Sequence, residues 1–480
     1  DRRYNQGDIS RRSGAFVFEA AELGQKISKA EYKDRALDLR TDILQLQHRA
    51  LDLARFPILI DFAGVDGAGK GTTVNMLYKW MDPRWMQAIA YREPTPLEEA
   101  RPRFWRYWRD LPPKGRIGLY RSGRYSRLLL EHVYGDLNDR EFHDRLSEII
   151  RFENMLADDG ALILKFWMHL SKSAQKERLE SLSDDPMLSY KVADGDKRNY
   201  ENYDTFVASA EKIIARTNRP AAPWHIVEGV DERYRHLTVG ETIRAELERH
   251  LGVLESEAHE SAPAKAKSAR QGNGITRNGL TIFDGLDLSK SVSRSDYRQE
   301  FKKHQARLGE LGREANRTGQ SVVLVFEGPD AAGKGGAIRR TVGCLDAHFY
   351  RVYQFAAPTD VERAYPYLWR FWSKLPRTGY VSVFDRSWYG RVLVERLEGF
   401  ATESEWRRAY NEITDFEHQI VQRGILLLKF WLQISKDEQL RRFKARAATP
   451  HKYWKLTEED WRNRELWDDY ERAAHDMVQF

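Results

Sequence analysis

Short apolar, β-branched runs alternate along this chain with stretches whose apolar residues recur at helical spacing, and the whole alternation occurs twice. ILIDFAGVDGAGKG (58–71) aligns with VVLVFEGPDAAGKG (322–335). The same shift of 264 positions then holds without a gap through PRFWRYWRDLPPKG (102–115) against PYLWRFWSKLPRTG (366–379), and GALILKFWMHLSK (160–172) against GILLLKFWLQISK (424–436). Such self-similarity means a duplicated unit. Strand-length runs separated by helical pattern predict a parallel sheet with helices on both faces, a three-layer α/β/α domain made twice. In the second copy the strands are expected near Val322–Phe326, Tyr350–Phe355, Val381–Phe384 and Ile425–Phe430.

A helical preamble precedes each copy, SKAEY (28–32) and SRSDY (293–297), one residue out of the main register. Between the copies, residues 252–279 are rich in Ala, Ser, Gly and Lys with almost no large apolar side chains, and read as a flexible linker. The expected division is therefore an N-terminal domain over 15–251, the linker, and a C-terminal domain over 280–480. The first copy continues through APWHIVEGVDERYRHLTVGETIRAELERHL (222–251), read as a last strand and helix. The second stops at Phe480 without a counterpart, either because the unit lacks that closing element or because the sequence omits it.

Composition sets limits. Its 480 residues suit about two to four domains. Lys and Arg number 78 against 72 Asp and Glu, interleaved throughout, so charge alone does not select nucleic acid. No apolar run approaches the roughly 18 residues that cross a bilayer. The single cysteine, Cys344, makes neither an internal disulfide nor a zinc site, which suits a reducing, cytoplasmic setting. The sequence opens at Asp1, and nothing visible there looks like a leader.

GPDAAGK (328–334) has G-x-x-x-x-G-K spacing directly after an apolar strand and before a helical pattern, and the same motif stands at Gly64–Lys70. Glycines there let backbone N–H groups converge on phosphate oxygens, so Gly328, Ala332, Gly333, Gly335 and Gly336 are candidate phosphate contacts, with the Lys334 ammonium as a point charge. The Ser or Thr that normally follows the lysine and holds Mg2+ is missing: Gly335 and Gly336 follow here, Gly71 and Thr72 in the first copy. Asp330 is the nearest substitute oxygen donor, although an Asp at that place could simply cap the turn. A second acid, Asp385, closes the strand YVSVFD (380–385), where a parallel sheet forms its binding crevice. Arg386 and Arg391 follow as candidate clamps on transferring phosphoryl oxygens, or as ordinary ion-pairing residues.

Comparing the copies then separates function from scaffold. The first copy has Arg121 at the position of Asp385 and Ser122 at that of Arg386; a cation there repels a metal. RRFKAR (441–446) faces ERLESL (177–182). The region about 441–463, with Arg442, Arg446 and Lys455, is read as a lid over a polyphosphorylated substrate, against the alternative of a solvated helix face. The aromatics of FWRYW (104–108) and YLWRFW (367–372) are assigned to burial rather than base stacking. Lys165 and Lys429 either reach the crevice or snorkel from it.

GPDAAGKGG (328–336), LWRFWSKLP (368–376), FDRSWYGR (384–391) and KFWLQIS (429–435) resemble the motifs of the polyphosphate kinase 2 family, and the tandem arrangement resembles its two-domain members that phosphorylate AMP from inorganic polyphosphate. The resemblance implies a P-loop kinase fold similar to thymidylate kinase with helical lids, Mg2+ dependence, and homo-oligomerisation. It implies polyphosphate and AMP or ADP as partners, with no nucleic acid and no membrane. Position by position it assigns catalysis to Asp330, Lys334, Asp385, Arg386, Arg391 and Arg446 of the C-terminal copy, phosphate binding to Arg442 and Lys455, and the metal to Asp385 and Asp330. The first copy departs at Arg121, Ser122 and Arg124. An ATP-dependent nucleoside monophosphate kinase and a non-catalytic nucleotide-binding scaffold are the rival readings.

Overall fold

The computed structural model describes residues 18–187, 189, 192–260, 281–448 and 458–480. They fall into two compact units, Asp1–Glu93 with Asp110–Lys265 and Pro94–Arg109 with Ala266–Phe480. Among the described residues no helix is long and apolar enough to cross a membrane.

The first unit is built on five parallel strands, β1 (Ile58–Gly64), β2 (Met86–Ala90), β3 (Ile117–Arg121), β4 (Leu162–His169) and β5 (Trp224–Glu228), in the order β2-β3-β1-β4-β5. All eight residues of β4 are buried, as coverage of both sheet faces requires, and this explains why LILKFWMH is apolar apart from Lys165 and His169. The preamble helix Lys29–Leu53 starts where Ser28 Oγ accepts from the Glu31 N–H at 3.1 Å, the local reason SKAEY begins a helix. It packs along helix Glu232–Glu260 and is pinned to it by Arg35–Glu241, Asp42–Arg244 and Arg49–Glu255 ion pairs. That last pair corrects the linker boundary. Residues 252–260 continue the helix, because no proline interrupts them and Glu255 has a partner; 261–279 lie outside the described residues.

The second unit has four parallel strands, β6 (Val322–Glu327), β7 (Tyr350–Gln354), β8 (Val381–Asp385) and β9 (Leu426–Trp431), in the order β7-β8-β6-β9. These are the four expected strands, within two residues at each end. The order repeats β2-β3-β1-β4. No described strand pairs with the outer edge of β9, and Leu426 and Phe430 stand 47% and 43% exposed where their β4 counterparts are buried.

A second boundary also moves. Pro94–Arg109, expected in the N-terminal domain, belongs to the compact unit of the second copy. Trp108 stacks on Trp372 with ring centroids 5.7 Å apart, both almost wholly buried, and the backbone carbonyls of Ala100 and Arg101 accept from Thr378 and Arg423. Burial of these aromatics decides the placement, as the sequence pattern implied for their role.

Candidate active site

β6 runs out at Glu327 into the glycine loop. Gly328 has φ of 136°, and a Cβ on it would lie 2.4 Å from the Leu432 carbonyl oxygen, so only glycine fits the close approach to β9. Ala331 (φ 63°) and Gly333 (φ 111°) complete the turn into helix Lys334–Val342, where the Gly336 N–H already donates to the Gly333 carbonyl at 3.0 Å and the N–H groups of Lys334 and Gly335 face the loop. Lys334 folds back over the loop, its Nζ donating to the Gly328 and Pro329 carbonyls at 2.6 and 3.1 Å. Three N–H bonds on one ammonium leave one for a ligand oxygen.

Asp330 is the hub of the loop. Its Oδ1 accepts from Arg386 Nη2 at 2.9 Å, its Oδ2 from Asn463 at 2.8 Å, and its carbonyl from Gln439 at 3.0 Å. Burial pushes this carboxyl up, but Arg386 and Lys334 outweigh it and hold it below the usual carboxylate range. Asp385, at the end of β8, differs. Burial raises its pKa against the pull of Lys334 and Arg386, and among the described residues no group donates to its carboxylate. Glu327, 6% exposed, is also raised by burial, against the Ser387 hydroxyl at 2.7 Å, Lys334 and Arg386. Arg386 sits at φ 63°, a left-handed conformation that turns the chain directly after the strand. Glu327, Asp330, Arg386, Asn463 and Tyr470, with the apolar Leu393 and Val394, line a small open cleft.

The fold thus assembles Asp330, Lys334, Asp385 and Arg386 around one loop. Arg442 joins them differently from expectation. It braces the loop backbone, Nη1 donating to the Ala331 and Ala332 carbonyls at 2.9 and 3.0 Å, with Nε on Glu438 at 2.6 Å. Arg391 is engaged by Glu395 at 2.9 Å and Glu405 at 3.6 Å and lies over the Tyr367 ring. Arg446 stands on the last turn of helix Lys436–Ala447, and Lys455 lies outside the described residues. Of the expected lid, helices Lys436–Ala447 and Glu458–Glu465 are described, and each sends one amide side chain to Asp330, Gln439 and Asn463. Lys165 and Lys429 meet neither alternative: each is ion-paired with a glutamate, Glu153 at 2.9 Å and Glu417 at 2.7 Å, and bonded to a tyrosine.

Glu327, Gln439, Asn463 and Tyr470 escaped the sequence reading. Two of them were visible in the repeat, since Gln175 and Asn199 stand in the same register and make the same contacts to Asp66, at 3.1 and 2.8 Å. Glu327 faces Ala63 in the first copy, a contrast of the same kind as Asp385 against Arg121.

Oxygen donors of this sort suit Mg2+, which is commonly held by one or two carboxylates together with substrate phosphates. Among the described residues no three His, Cys, Asp or Glu converge on a point, as an all-protein cage would need. Asp385 fits the metal-ligand role, with its oxygens free of donors among the described residues; Asp330 fits it less well, with each oxygen already accepting.

The family model of polyphosphate kinase 2 matches residues 26–252 and 291–480. The chain is 46% identical over 96% of its length to a polyphosphate:AMP phosphotransferase of Pseudomonas aeruginosa, covering 92% of that protein. It is 39% identical over 88% of its length to one of Acinetobacter johnsonii, covering 83%. A crystal structure from Pseudomonas aeruginosa assigned to polyphosphate kinase 2 superposes with a TM-score of 0.84 at 43% identity, over 96% of this chain and 91% of that one. The family model, the relatives and the superposition agree over both halves of the sequence, and the chain belongs to the polyphosphate kinase 2 family.

Proposed function

We propose that the second unit transfers a terminal phosphoryl group from inorganic polyphosphate to the α-phosphate of AMP, giving ADP. The observation that carries this reading is the grouping of Lys334, Arg386 and the unpartnered Asp385 at the mouth of one phosphate loop, together with relatives whose names state that activity. Substrates and product are all polyanions, so alignment and charge neutralisation carry most of the rate. Lys334 and the loop amides orient a phosphate beside the one transferred. Arg386, fixed by Asp330, meets the charge that spreads over the equatorial oxygens. The attacking phosphate oxygen of AMP is already ionised near neutral pH, so no general base is required. Asp385, with Asp330 as the second candidate, would hold Mg2+, which would supply charge neutralisation on the phosphate oxygens. One phosphoanhydride is broken and one made, so the reaction runs in both directions.

The test is incubation with polyphosphate, Mg2+ and each nucleoside mono- or diphosphate, with products separated by chromatography. ADP formed from AMP and polyphosphate is expected. Turnover with ATP as donor and none with polyphosphate would sink the reading in favour of a nucleoside monophosphate kinase.

A further inference from the structure

The first unit keeps its phosphate loop but surrounds it with different chemistry. Lys70 folds back as Lys334 does, onto the Gly64 and Val65 carbonyls at 2.7 and 2.8 Å. Three arginines from three separate elements then lean on three glycines of the loop. The side chain of Arg178, from helix Lys172–Asp184, comes 3.2 Å from where a Cβ on Gly67 would sit. The guanidinium carbon of Arg235, from helix Glu232–Glu260, comes 2.3 Å from that position on Gly69, and Arg121 Nη1, from the end of β3, 3.3 Å from that on Gly71. The equivalent loop of the second unit has Ala331 in place of Gly67, and open space at Gly335 in place of the Gly71–Arg121 contact.

Arg235 is the telling residue. It is 4% exposed, and its donors go to neutral oxygens only: Gly229 O at 2.6 Å, Thr72 Oγ1 at 3.1 Å and Thr73 Oγ1 at 3.2 Å. Among the described residues no carboxylate lies within ion-pair distance of it or of Arg121, and Glu232 and Asp231 act on Arg235 only from further off. A buried charge without a close counter-charge is costly, and a ligand anion at the loop would supply one. The acids that would balance the site are few. Asp66 lies 3.5 Å from Lys70 with its other oxygen on Asn199, and Asp196, which Lys70 also influences, caps the Ala193 N–H. Where the second unit has Glu327 and Asp385, the first has Ala63 and Arg121.

We propose that this loop is a binding site for a phosphoanhydride chain that works without a divalent metal, Arg121 and Arg235, which have no counterpart at the second loop, replacing the cation beside Lys70. The chain can be inorganic oligophosphate or the phosphates of a nucleotide. The inference goes beyond the turnover assigned to the second unit and is read by binding alone.

The experiment is titration calorimetry of the full chain in EDTA with tripolyphosphate, and in parallel with ATP. Wild type is expected to bind in EDTA, Arg121→Ala to bind at least threefold more weakly, and Arg121→Asp at least tenfold more weakly, each with unchanged melting temperature. Lys334→Ala, which disables the other loop, should leave intact the component of binding that Arg121→Asp weakens. Stronger binding of tripolyphosphate assigns the site to inorganic chains, stronger binding of ATP to nucleotides. No binding by wild type in EDTA, affinity unmoved by Arg121→Asp, or binding lost with Lys334→Ala instead, overturns the proposal. Such a failure would leave the AMP phosphorylation assay untouched, so the two claims fall separately.

Discussion

Two places where the copies differ behave in opposite ways. Beneath each sheet a lysine, a glutamate and a tyrosine form one network, Lys165–Glu153–Tyr125 in the first unit and Lys429–Glu417–Tyr389 in the second. Next to it the second unit has apolar Val325 and Trp388, whose indole N–H donates to Glu417 at 3.0 Å. The first has Asp61 and Arg124, ion-paired at 2.6 Å and only 4% and 2% exposed. The charge introduced beside this network is matched by its opposite, because breaking such a pair leaves a costly buried charge. At the loop mouth the differences are not matched: Ala63 for Glu327, Arg121 for Asp385 and Ser122 for Arg386 change the sign of the local charge. Solvent and ligands can neutralise charge at the mouth, so differences there alter what binds, whereas differences in the core preserve the fold.

The contrast can be broken at its strongest point by Arg124→Ala, which strands Asp61 in the interior. A loss of about 3–5 kcal/mol in the first unit's unfolding free energy is expected in denaturant titration, and a loss below 1 kcal/mol would show that water reaches the site. In the second unit, Asp385→Asn removes a charge that the fold does not need. AMP phosphorylation should drop by about 10²–10³-fold with little change in melting temperature, read in the polyphosphate assay; retained turnover would remove Asp385 from the mechanism.

Acid should weaken the first unit through His236. Burial and Arg235 push its pKa down to about 4, below the 6.5 of an exposed imidazole. The unfolded chain therefore takes the proton first, so stability is complete above about pH 6.5 and falls as pH drops towards 4, by roughly 3 kcal/mol. His236→Gln should flatten that part of the melting-temperature profile; an unchanged profile would assign the loss to other groups. The smallest effect should come from exchanging the core solution itself. Asp61→Val with Arg124→Trp copies the second unit's pair and is expected to move stability by less than about 1 kcal/mol, against the large single-site loss, as the coupling in a double-mutant cycle would report.

The repeat, the loop motif and the four strands of the second unit were legible because each depends on local order: apolar spacing, a lysine after glycines, an acid closing a strand. Asp385 was found by its strand and by its contrast with Arg121. Arg391, expected as a phosphoryl clamp or as an ion-pairing residue, is paired here with Glu395 and Glu405, which come from helices whose packing no local pattern reveals. Arg442 was placed near the loop correctly, yet only the packed helix showed that it holds carbonyls.

By itself, then, the sequence determined that two α/β units exist, where each phosphate loop lies, and that only one loop carries Asp385. Which residues surround each loop was decided by tertiary structure. Arg235 reaches Gly69 from a helix more than 160 residues further along the chain, and Asn463 reaches Asp330 from 133 residues away. Such contacts depend on how helices settle against the sheet, which buried apolar area fixes collectively and no short segment encodes.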